Sequence, residues 1–204
     1  MITIIEKIIE NYKTNKTLYI GEKVTITEHM IQSAMLAEEN KSASSLICAS
    51  LLHDYGHFIL DDPEELVNQK KDGRHEEIGY QYLKKYFVRD VVEPIKNHVK
   101  AKRYLARDKK YFKKNVVEPI KNHVKAKRYL ARIQKYYQIL SQASKVSLHL
   151  QGGVMNDEEA KEFEKEKFFD DSIKLRKFDE AAKKTDIEMK DINDYKSLLK
   201  SNLL

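Results

Sequence analysis

The chain has 204 residues, of which 41% are hydrophobic and 34% are charged, and its formal net charge at pH 7 is +6. This length suits one domain with a sizeable core, and the composition is ordinary for a globular helical protein, which argues against a disordered chain. The basic charge does not predict nucleic-acid binding, because no base-reading motif or aromatic-rich stacking surface accompanies it.

The few glycines and prolines predict the fold class. Six glycines and three prolines in the whole chain, with little strand-like alternation, indicate an all-α protein. The second predicted helix starts at a capping box formed by Thr25 and Glu28. Helices are predicted at residues 2–13, 26–40, 44–59 and 75–87, then at NHVKAKRYL, after Asn156, across FFDDSIKLRKFDEAAKK, and at the surface over the C-terminal DINDYKSLLKSNLL.

The single cysteine and the N-terminal segment bear on the compartment. Cys48 lies in the apolar run SLICASLL, which is more typical of a buried small side chain than of a disulfide partner. The N-terminal MITIIEKIIENYK alternates apolar and charged residues at helical spacing, so it is predicted to be neither a signal peptide nor a membrane span. We therefore expect a cytoplasmic protein that does not bind membranes.

An internal repeat complicates this fold. Residues 84–108 recur as residues 109–133, and 21 of the 25 aligned positions are identical. Solenoids need about three or more units to bury a continuous core, so we interpret the repeat as a tandem duplication inside one domain, residues 1–204. The second copy carries nine Lys and Arg against one acid, and removing its net +8 would change the charge of the chain from +6 to −2.

Histidines and aspartates on the predicted helices form a pattern typical of a metal site. The adjacent pair His53 and Asp54 follows an apolar helix, where a buried charge is costly unless it is paired or bound to a metal. Imidazole and carboxylate ligands suit iron, manganese or zinc, and the carboxylate of such a pair can bridge to a second metal. The candidates exceed what one ion needs, so we expect two metals, held by His29, His53, Asp54, His75, His98 or its duplicate His123, and Asp179.

Longer motifs extend this pattern. The order His, His-Asp, Asp is the signature of the HD-domain superfamily. The motifs YIGEKVTITEHMIQSA, LLHDYGHF, RHEEIGYQYL, NHVKAKRYL, SLHLQGGVMNDEEAKEFE and LRKFDEAAK resemble those of the phosphonate-cleaving HD-domain oxygenases. These relatives of myo-inositol oxygenase use a mixed-valent Fe(II)/Fe(III) centre, with O2 as co-substrate. The resemblance covers almost the whole chain except one duplicated copy, and it implies an HD-domain helical bundle in which Asp54 bridges two iron ions.

The resemblance also implies roles for neighbouring residues. Tyr19 and Glu22 match the Y-x-G-E turn of the family, a catalytic lid whose tyrosine occupies an iron position until substrate displaces it. Without the resemblance, an interfacial aromatic would be the simpler interpretation of Tyr19. Cations and hydroxyl donors suit a phosphonate dianion, and a guanidinium is well shaped for it. The positions that match the phosphonate-binding ones are His57, Lys102 or its duplicate Lys127, Ser144, Ser147 and Arg176.

The duplication leaves open which copy supplies the histidine and the lysine. The first copy keeps His98 continuous with the helix of His75, whereas the second keeps His123 at native-like spacing from Asp179. We favour the first copy, because it directly follows the helix on which it should pack. The loop-closure cost of a surplus copy is small, about 0.6 kcal/mol for each doubling of loop length. The surplus copy would then lie on the surface or mediate dimerisation, so the chain is expected to be a monomer or a homodimer.

The expected function is that of a non-haem di-iron oxygenase. It would cleave the C–P bond of a small-molecule phosphonate, of the 1-hydroxy-2-aminoethylphosphonate type, to an amino acid and phosphate. One alternative is an HD phosphohydrolase that uses Mn or Zn to activate water. Three features favour the oxygenase over the phosphohydrolase: His75, the duplicated histidine and the Tyr19-x-x-Glu22 turn. The other alternative is an inactive or engineered scaffold in which the duplication has spoiled the site.

Overall fold

The computed structural model describes residues 2–19, 22–59, 73–106, 138 and 140–204. Within these residues the secondary structure is helical, with two isolated bridges in place of strands, which confirms the predicted all-α class. None of the helices in these ranges is long and apolar enough to cross a membrane. The α-helices are α1 (Ile4–Thr14), α2 (Ile26–Glu39), α3 (Ser44–Leu52), α4 (His75–Leu83), α5 (Arg89–Ala106), α6 (Gln142–Leu150), α7 (Asp157–Glu164), α8 (Phe169–Ala181) and α9 (Lys196–Ser201).

Side-chain caps start several of these helices. The predicted capping box of α2 is present: the Thr25 hydroxyl accepts the Glu28 amide at 3.1 Å, and the Glu28 carboxylate accepts the Thr25 amide at 2.7 Å. Asn156 caps α7 in the same reciprocal way with Glu159. Such caps satisfy amides that lack a partner within the first turn, so they fix where a helix begins.

The core lies where α2, α3, α5 and α8 pack on one another, with α4 against α5. Helix α3 is apolar on most sides, as expected of a central helix, and Leu51 is fully buried. Met30 of α2, Ile95 of α5 and Leu175 of α8 are equally buried and belong to the same cluster. Four helices therefore converge on one interior, and polar side chains on their inner faces must meet there.

Helix α3 ends earlier than the sequence predicted. A helix was expected over residues 44–59, but α3 stops at Leu52 and is followed by a short 3-10 turn, Tyr55–Phe58. Asp54 leaves helical geometry with φ −101° and ψ 13°. An unbroken helix over residues 44–59 would place His53 and His57 one turn apart on the same face, and the break separates them. The break turns the Asp54 carboxylate out of the helix register and toward α4.

The C-terminal segment is more deeply packed than the predicted surface helix. A 3-10 turn, Ile192–Tyr195, leads into α9, and Tyr195 and Leu199 are buried. Asn202 bonds to the start of α3 through the Ser44 hydroxyl at 2.9 Å and accepts the Val88 amide at 3.1 Å. The C-terminus thereby fixes the connection between α4 and α5.

A close approach between two glycines sets the position of α4. A Cβ added at Gly56 would lie 2.0 Å from the carbonyl oxygen of His75, far inside van der Waals contact. A Cβ added at Gly79 would meet the Gly56 amide nitrogen at 3.2 Å, a contact that a small shift relieves. Gly56 thus allows the turn after α3 to lie directly against the first turn of α4.

We predict that Gly56→Ala lowers the free energy of unfolding by about 2–3 kcal/mol, because the added methyl group overpacks the contact with His75. Gly79→Ala is the matched control. It adds the same atom on the facing side, but alanine favours a helix interior by about 1 kcal/mol, which offsets the tight contact. Chemical denaturation of the metal-free proteins, followed by circular dichroism, measures both values. Equal losses in the two variants would contradict the assigned role of Gly56.

Candidate metal centre

The six side chains predicted as metal ligands meet at the centre of the helical core. They come from five places in the chain, and five of the six are no more than 3% exposed, whereas the side chain of His75 is 13% exposed. The structure brings together His29 of α2, His53 and Asp54 after α3, His75 of α4, His98 of α5 and Asp179 of α8.

The first group of ligands, called site 1, consists of His29, His53, Asp179 and one oxygen of Asp54. The Nε2 atoms of His29 and His53 are 3.1 Å apart, and Asp54 Oδ2 lies 3.5 Å from each. Asp179 Oδ1 lies 3.2 Å from His29 Nε2 and 3.9 Å from His53 Nε2. Two ligand atoms at right angles around a metal, each about 2.1 Å from it, are about 3.0 Å apart, so these separations are close to those of a metal site.

The second group, site 2, uses the other oxygen of Asp54. Asp54 Oδ1 lies 3.2 Å from His75 Nε2 and 3.6 Å from His98 Nε2, and these two nitrogens are 3.0 Å apart. Site 2 therefore has one carboxylate oxygen and two imidazoles, whereas site 1 has two carboxylate oxygens and two imidazoles. A metal in site 2 would keep more positions for exogenous ligands. The Asp54 carboxylate lies between the two sites and could bridge them.

Backbone carbonyls fix the tautomers of three of the histidines. The Nδ1 atoms of His29, His53 and His98 lie 2.7–2.8 Å from the carbonyl oxygens of Ala182, Ser50 and Ile95. A carbonyl oxygen can only accept, so Nδ1 carries the proton, and in the neutral ring Nε2 presents a lone pair. Each Nε2 faces the interior of its site. Such an orienting bond on the far nitrogen is common in metal-binding histidines.

Buried polar atoms without hydrogen-bond partners support metal binding. Within the described residues, both oxygens of Asp54 and Oδ1 of Asp179 are buried and have no hydrogen-bond partner. Two carboxylates facing imidazole lone pairs are unfavourable in a dry interior unless cations compensate them. The residues present fit one or two metal ions of the kind that nitrogen and oxygen ligands bind.

The pKa values of the ligands reflect this crowding. Burial raises the pKa of Asp54, but the neighbouring His53 and His75 outweigh it and hold the pKa well below its usual value. Burial likewise opposes ionisation of Asp179, but Arg176 and His29 lower its pKa well below normal. Burial lowers the pKa of His98 to about 3, with the charge of His75 adding to the effect. Two ionised carboxylates and a neutral His98 are the protonation states that metal binding requires.

Arg176 orients one of the carboxylates. Its Nη1 donates to Asp179 Oδ2, and its Nη2 donates to Glu180 Oε2, both on the same helix. The guanidinium is 2% exposed and leaves Asp179 Oδ1 directed at His29. Arg176 was predicted as a phosphonate ligand. In the structure it contacts the candidate ligand Asp179 and so positions that carboxylate. Its role in binding a phosphonate stays a prediction.

The predicted lid residues lie over site 1. The Tyr19 ring stacks on His29 with centroids 4.3 Å apart, and it meets His57 edge-on at 6.5 Å. His57 in turn stacks on His75 at 4.3 Å, and its Nδ1 has no hydrogen-bond partner among the described residues. Burial and the charge of His75 lower the pKa of His57 to about 3, so the ring is neutral. Glu22 is three residues after Tyr19 in the sequence, and its amide donates to the Tyr19 carbonyl at 2.9 Å.

The remaining predicted residues form a cationic and hydroxyl cluster beside the ligands. Lys102 of α5 is 7% exposed, and its Nζ donates to the Ser147 hydroxyl. Burial, together with the charge of Arg176, lowers the pKa of Lys102 to about 7. Ser144 lies one turn before Ser147 on α6, and the Ser147 hydroxyl donates to its carbonyl at 3.2 Å.

Sequence reasoning missed two residues of this cluster, Glu180 and Lys183. The Lys183 Nζ donates to the Ser144 hydroxyl at 2.8 Å and lies 3.3 Å from Glu180 Oε1. Glu180 also accepts from Arg176 and, at 3.4 Å, from Ser144. The predicted helix FFDDSIKLRKFDEAAKK contained a signal for Lys183, because helical spacing would place it one turn after Asp179, although in the structure it follows the end of α8 at Ala181.

The structure places the first copy of the repeat at the site. His98 and Lys102 both lie in α5, whereas their duplicates His123 and Lys127 lie outside the described residues. One of the four differing positions gives a physical reason for this choice. Val88 packs partly buried against the core, and the second copy has Lys113 there, whose charge would be costly to bury.

Comparison with known proteins identifies the family. Residues 26–161 match the HD domain. This chain belongs to the HD-domain family. HD domains are metal-dependent enzymes, and the clustered ligands agree with that class. The matched range includes five of the six candidate ligands, and Asp179 follows it on α8.

Three relatives match most of the chain. The chain is 36% identical, over 85% of its length and 76% of the relative, to a [1-hydroxy-2-(trimethylamino)ethyl]phosphonate dioxygenase (glycine-betaine-forming) of Leisingera caerulea. It is 34% identical, over 91% of its length and 81% of the relative, to a hydroxymethylphosphonate dioxygenase of Gimesia maris. An uncharacterised protein of Acanthamoeba polyphaga mimivirus is 36% identical, over 95% of this chain and 82% of the relative. The predicted resemblance to HD-domain phosphonate oxygenases is thereby confirmed.

We predict that Asp54→Ala abolishes binding at both metal sites, because each site loses its share of the bridging carboxylate. Asp179→Ala should remove the metal of site 1 and retain the metal of site 2. Asp170→Ala is the matched control, since Asp170 is an exposed carboxylate on the same helix as Asp179. Metal content per chain, measured by mass spectrometry after desalting, separates the three variants. Wild-type metal content in Asp54→Ala would contradict the bridging geometry.

The repeat provides an internal control for His98. We predict that His98→Ala lowers the metal content by about one ion per chain, because Nε2 of His98 is one of three ligands at site 2. His123→Ala changes the same residue in a nearly identical sequence and should leave the metal content unchanged. The reverse result would mean that the second copy supplies the ligand in solution.

Proposed function

We propose that the chain is a non-haem di-iron oxygenase that cleaves the C–P bond of a 1-hydroxy-2-aminoethylphosphonate-like substrate, giving an amino acid and phosphate. The observation that carries the proposal is the position of Asp54, whose two oxygens face two separate histidine pairs next to a cluster of cationic side chains. Two metal sites support redox chemistry at a pair of ions, and the cationic cluster supports an anionic substrate.

The names of two relatives support the substrate class. One acts on a [1-hydroxy-2-(trimethylamino)ethyl]phosphonate and the other on hydroxymethylphosphonate. Both molecules carry a hydroxyl group on the carbon that bears phosphorus, and they differ in the substituent on that carbon. The 1-hydroxyphosphonate group is therefore the part of the substrate that we assign, and the aminomethyl substituent is the finer part of the proposal.

The net charge of the centre favours such a substrate. Four neutral imidazoles and two carboxylates contribute −2, so two iron ions leave the centre positive. Lys102, with Ser147 against its ammonium group, offers further donors beside the metals. His75, His98 and Asp54 would hold a metal at site 2, which would supply a Lewis acid for the hydroxyl and phosphonate oxygens of one substrate.

The reaction balances without an external reductant. One O2 and one 1-hydroxy-2-aminoethylphosphonate contain the atoms of glycine and phosphate, with the C–P bond broken and C1 oxidised to a carboxylate. When bound, the two iron ions would supply the site at which O2 is reduced. The role of the protein side chains is to bind the dianion, hold C1 next to the metals and exclude water. The neutral His57, stacked on His75, borders the site and presents an unsatisfied Nδ1 for a substrate hydrogen bond.

The ligand set also bears on the hydrolase alternative. A phosphohydrolase based on His29, His53, Asp54 and Asp179 would not require site 2. His75 and His98 nevertheless converge on Asp54 with their nitrogens 3.0 Å apart, which favours a centre with two metals. The lid tyrosine stacked on His29 is likewise expected for the oxygenase.

We predict that the iron-loaded protein consumes O2 and releases phosphate in a ratio of about one to one when 2-amino-1-hydroxyethylphosphonate is supplied. Oxygen-electrode and phosphate assays measure both quantities in one reaction, and the two substrates named for the relatives test the substituent. Asp54→Ala is expected to lose the activity entirely, because it lacks the bridge between the metals.

Three outcomes would contradict the proposal. Phosphate release from nucleotides in the absence of O2 would assign the chain to the hydrolases instead. Turnover of hydroxymethylphosphonate alone would retain the oxygenase and reject the aminomethyl substituent. A protein that binds iron and methylphosphonate but turns over none of the three substrates would fit an inactive chain.

A further inference from the structure

Lys183 connects the lid turn to the hydroxyl cluster. Its Nζ donates to the Ser144 hydroxyl at 2.8 Å and lies 3.2 Å from Glu22 Oε1, and it lies 5.7 Å from the centre of the Tyr19 ring. The Lys183 side chain is 10% exposed, and that of Glu22 is 15% exposed. One ammonium group therefore lies next to Glu22 and also contacts the helix that carries Ser144 and Ser147.

Lys183 and Lys102 each contact one of the two serines of α6. The Lys102 ammonium donates to Ser147, and the Lys183 ammonium donates to Ser144 one helical turn earlier. Two cations thus contact adjacent hydroxyls of α6 from α5 and from the segment after α8. Arg176 is connected to the same cluster through Glu180.

The two acids that contact Lys183 are held differently. Glu180 binds Arg176 and accepts from Ser144 in addition to its pair with Lys183. Glu22 Oε1, by contrast, is buried and has no hydrogen-bond partner among the described residues, so its contact with Lys183 is an ion pair without good hydrogen-bond geometry. Glu22 is therefore the acid that an incoming anion can replace.

We propose that Lys183 is a further phosphonate-binding cation, held by Glu22 until the substrate anion replaces that carboxylate, and that this exchange makes the site select dianions. The inference rests on the proposed function, because it requires an anion beside Ser144 and Ser147. A phosphonate dianion offers Lys183 more charge and more acceptor oxygens than one carboxylate does, so the exchange is favourable. A monoanion of the same shape replaces one carboxylate with an equal charge and gains little.

The test measures anion binding to the iron-loaded protein under anaerobic conditions by titration calorimetry. The probes are methylphosphonate, at a pH where it is a dianion, and methanesulfonate, a monoanion of similar shape. The proteins are wild type, Lys183→Met, Lys183→Arg, Glu22→Gln and the double variant Glu22→Gln with Lys183→Met. Lys184→Met is the matched control, since Lys184 is the exposed neighbour and is held through its backbone by Gln32.

We expect the affinity for methylphosphonate to fall when Lys183 is replaced and to rise when Glu22 is replaced. Lys183→Met should weaken methylphosphonate binding by about ten- to a hundredfold and methanesulfonate binding by less, while Lys183→Arg and Lys184→Met stay near wild type. Glu22→Gln should tighten methylphosphonate binding when Lys183 is present and have little effect in the Lys183→Met background. If Glu22→Gln acted only by removing a negative charge at long range, it would change methylphosphonate binding equally with Lys183 and with Met at position 183. The difference between its effects in these two backgrounds is therefore the decisive quantity.

Two results would overturn the inference. If Glu22→Gln weakens binding, or changes it equally in both backgrounds, Glu22 does not compete for Lys183. If Lys183→Met weakens both probes equally, the ammonium group does not select dianions. Failure of the proposed function has a different signature, because it appears as absent turnover of the three phosphonates with O2, which the anaerobic binding titrations do not measure.

Discussion

The two oxygens of the Asp54 carboxylate face different histidine pairs, and this constraint determines the rest of the centre. The group is 1% exposed and has no hydrogen-bond partner among the described residues. An ionised carboxylate in that position needs positive charge on both sides. The break of α3 after Leu52 and the Gly56 contact that brings α4 close provide the geometry.

Much of this molecule could be predicted from its sequence, because the signals are local. Periodicity and caps gave the helical class, and the motif order predicted which six side chains converge. The backbone geometry that depends on contacts between distant residues could not be predicted from the sequence. Nothing in the residue types shows that α3 stops at Leu52, or that the carbonyls of Ala182 and Ile95 orient two histidines. Lys183 was missed because lysines after a helix are common, and its partners Glu22 and Ser144 are distant in sequence.

Arg176 couples the metal ligands to the neighbouring charged cluster. It binds Asp179 of site 1 with one nitrogen and Glu180 with another, and Glu180 contacts both Ser144 and Lys183. A charge next to Lys183 therefore affects Arg176, which orients the ligand Asp179, through the contact of Lys183 with Glu180 and that of Glu180 with Arg176. Mutation of hydrogen-bonded partners of metal ligands typically costs about 10- to 100-fold in metal affinity or activity. An anion that binds there as proposed would therefore also affect site 1.

The repeat means that the α5 residues of the site occur twice in the sequence. Each α5 side chain that serves the site, including His98 and Lys102, has an identical counterpart in residues 109–133, and so do Asn97, Lys100 and Arg103, which tie α5 to its neighbours. Deletion of either copy would leave one uninterrupted motif, with one histidine and one lysine for the site. Every type of candidate ligand would remain in the shorter sequence. The additional 25 residues are therefore not needed to supply the ligands of the metal centre.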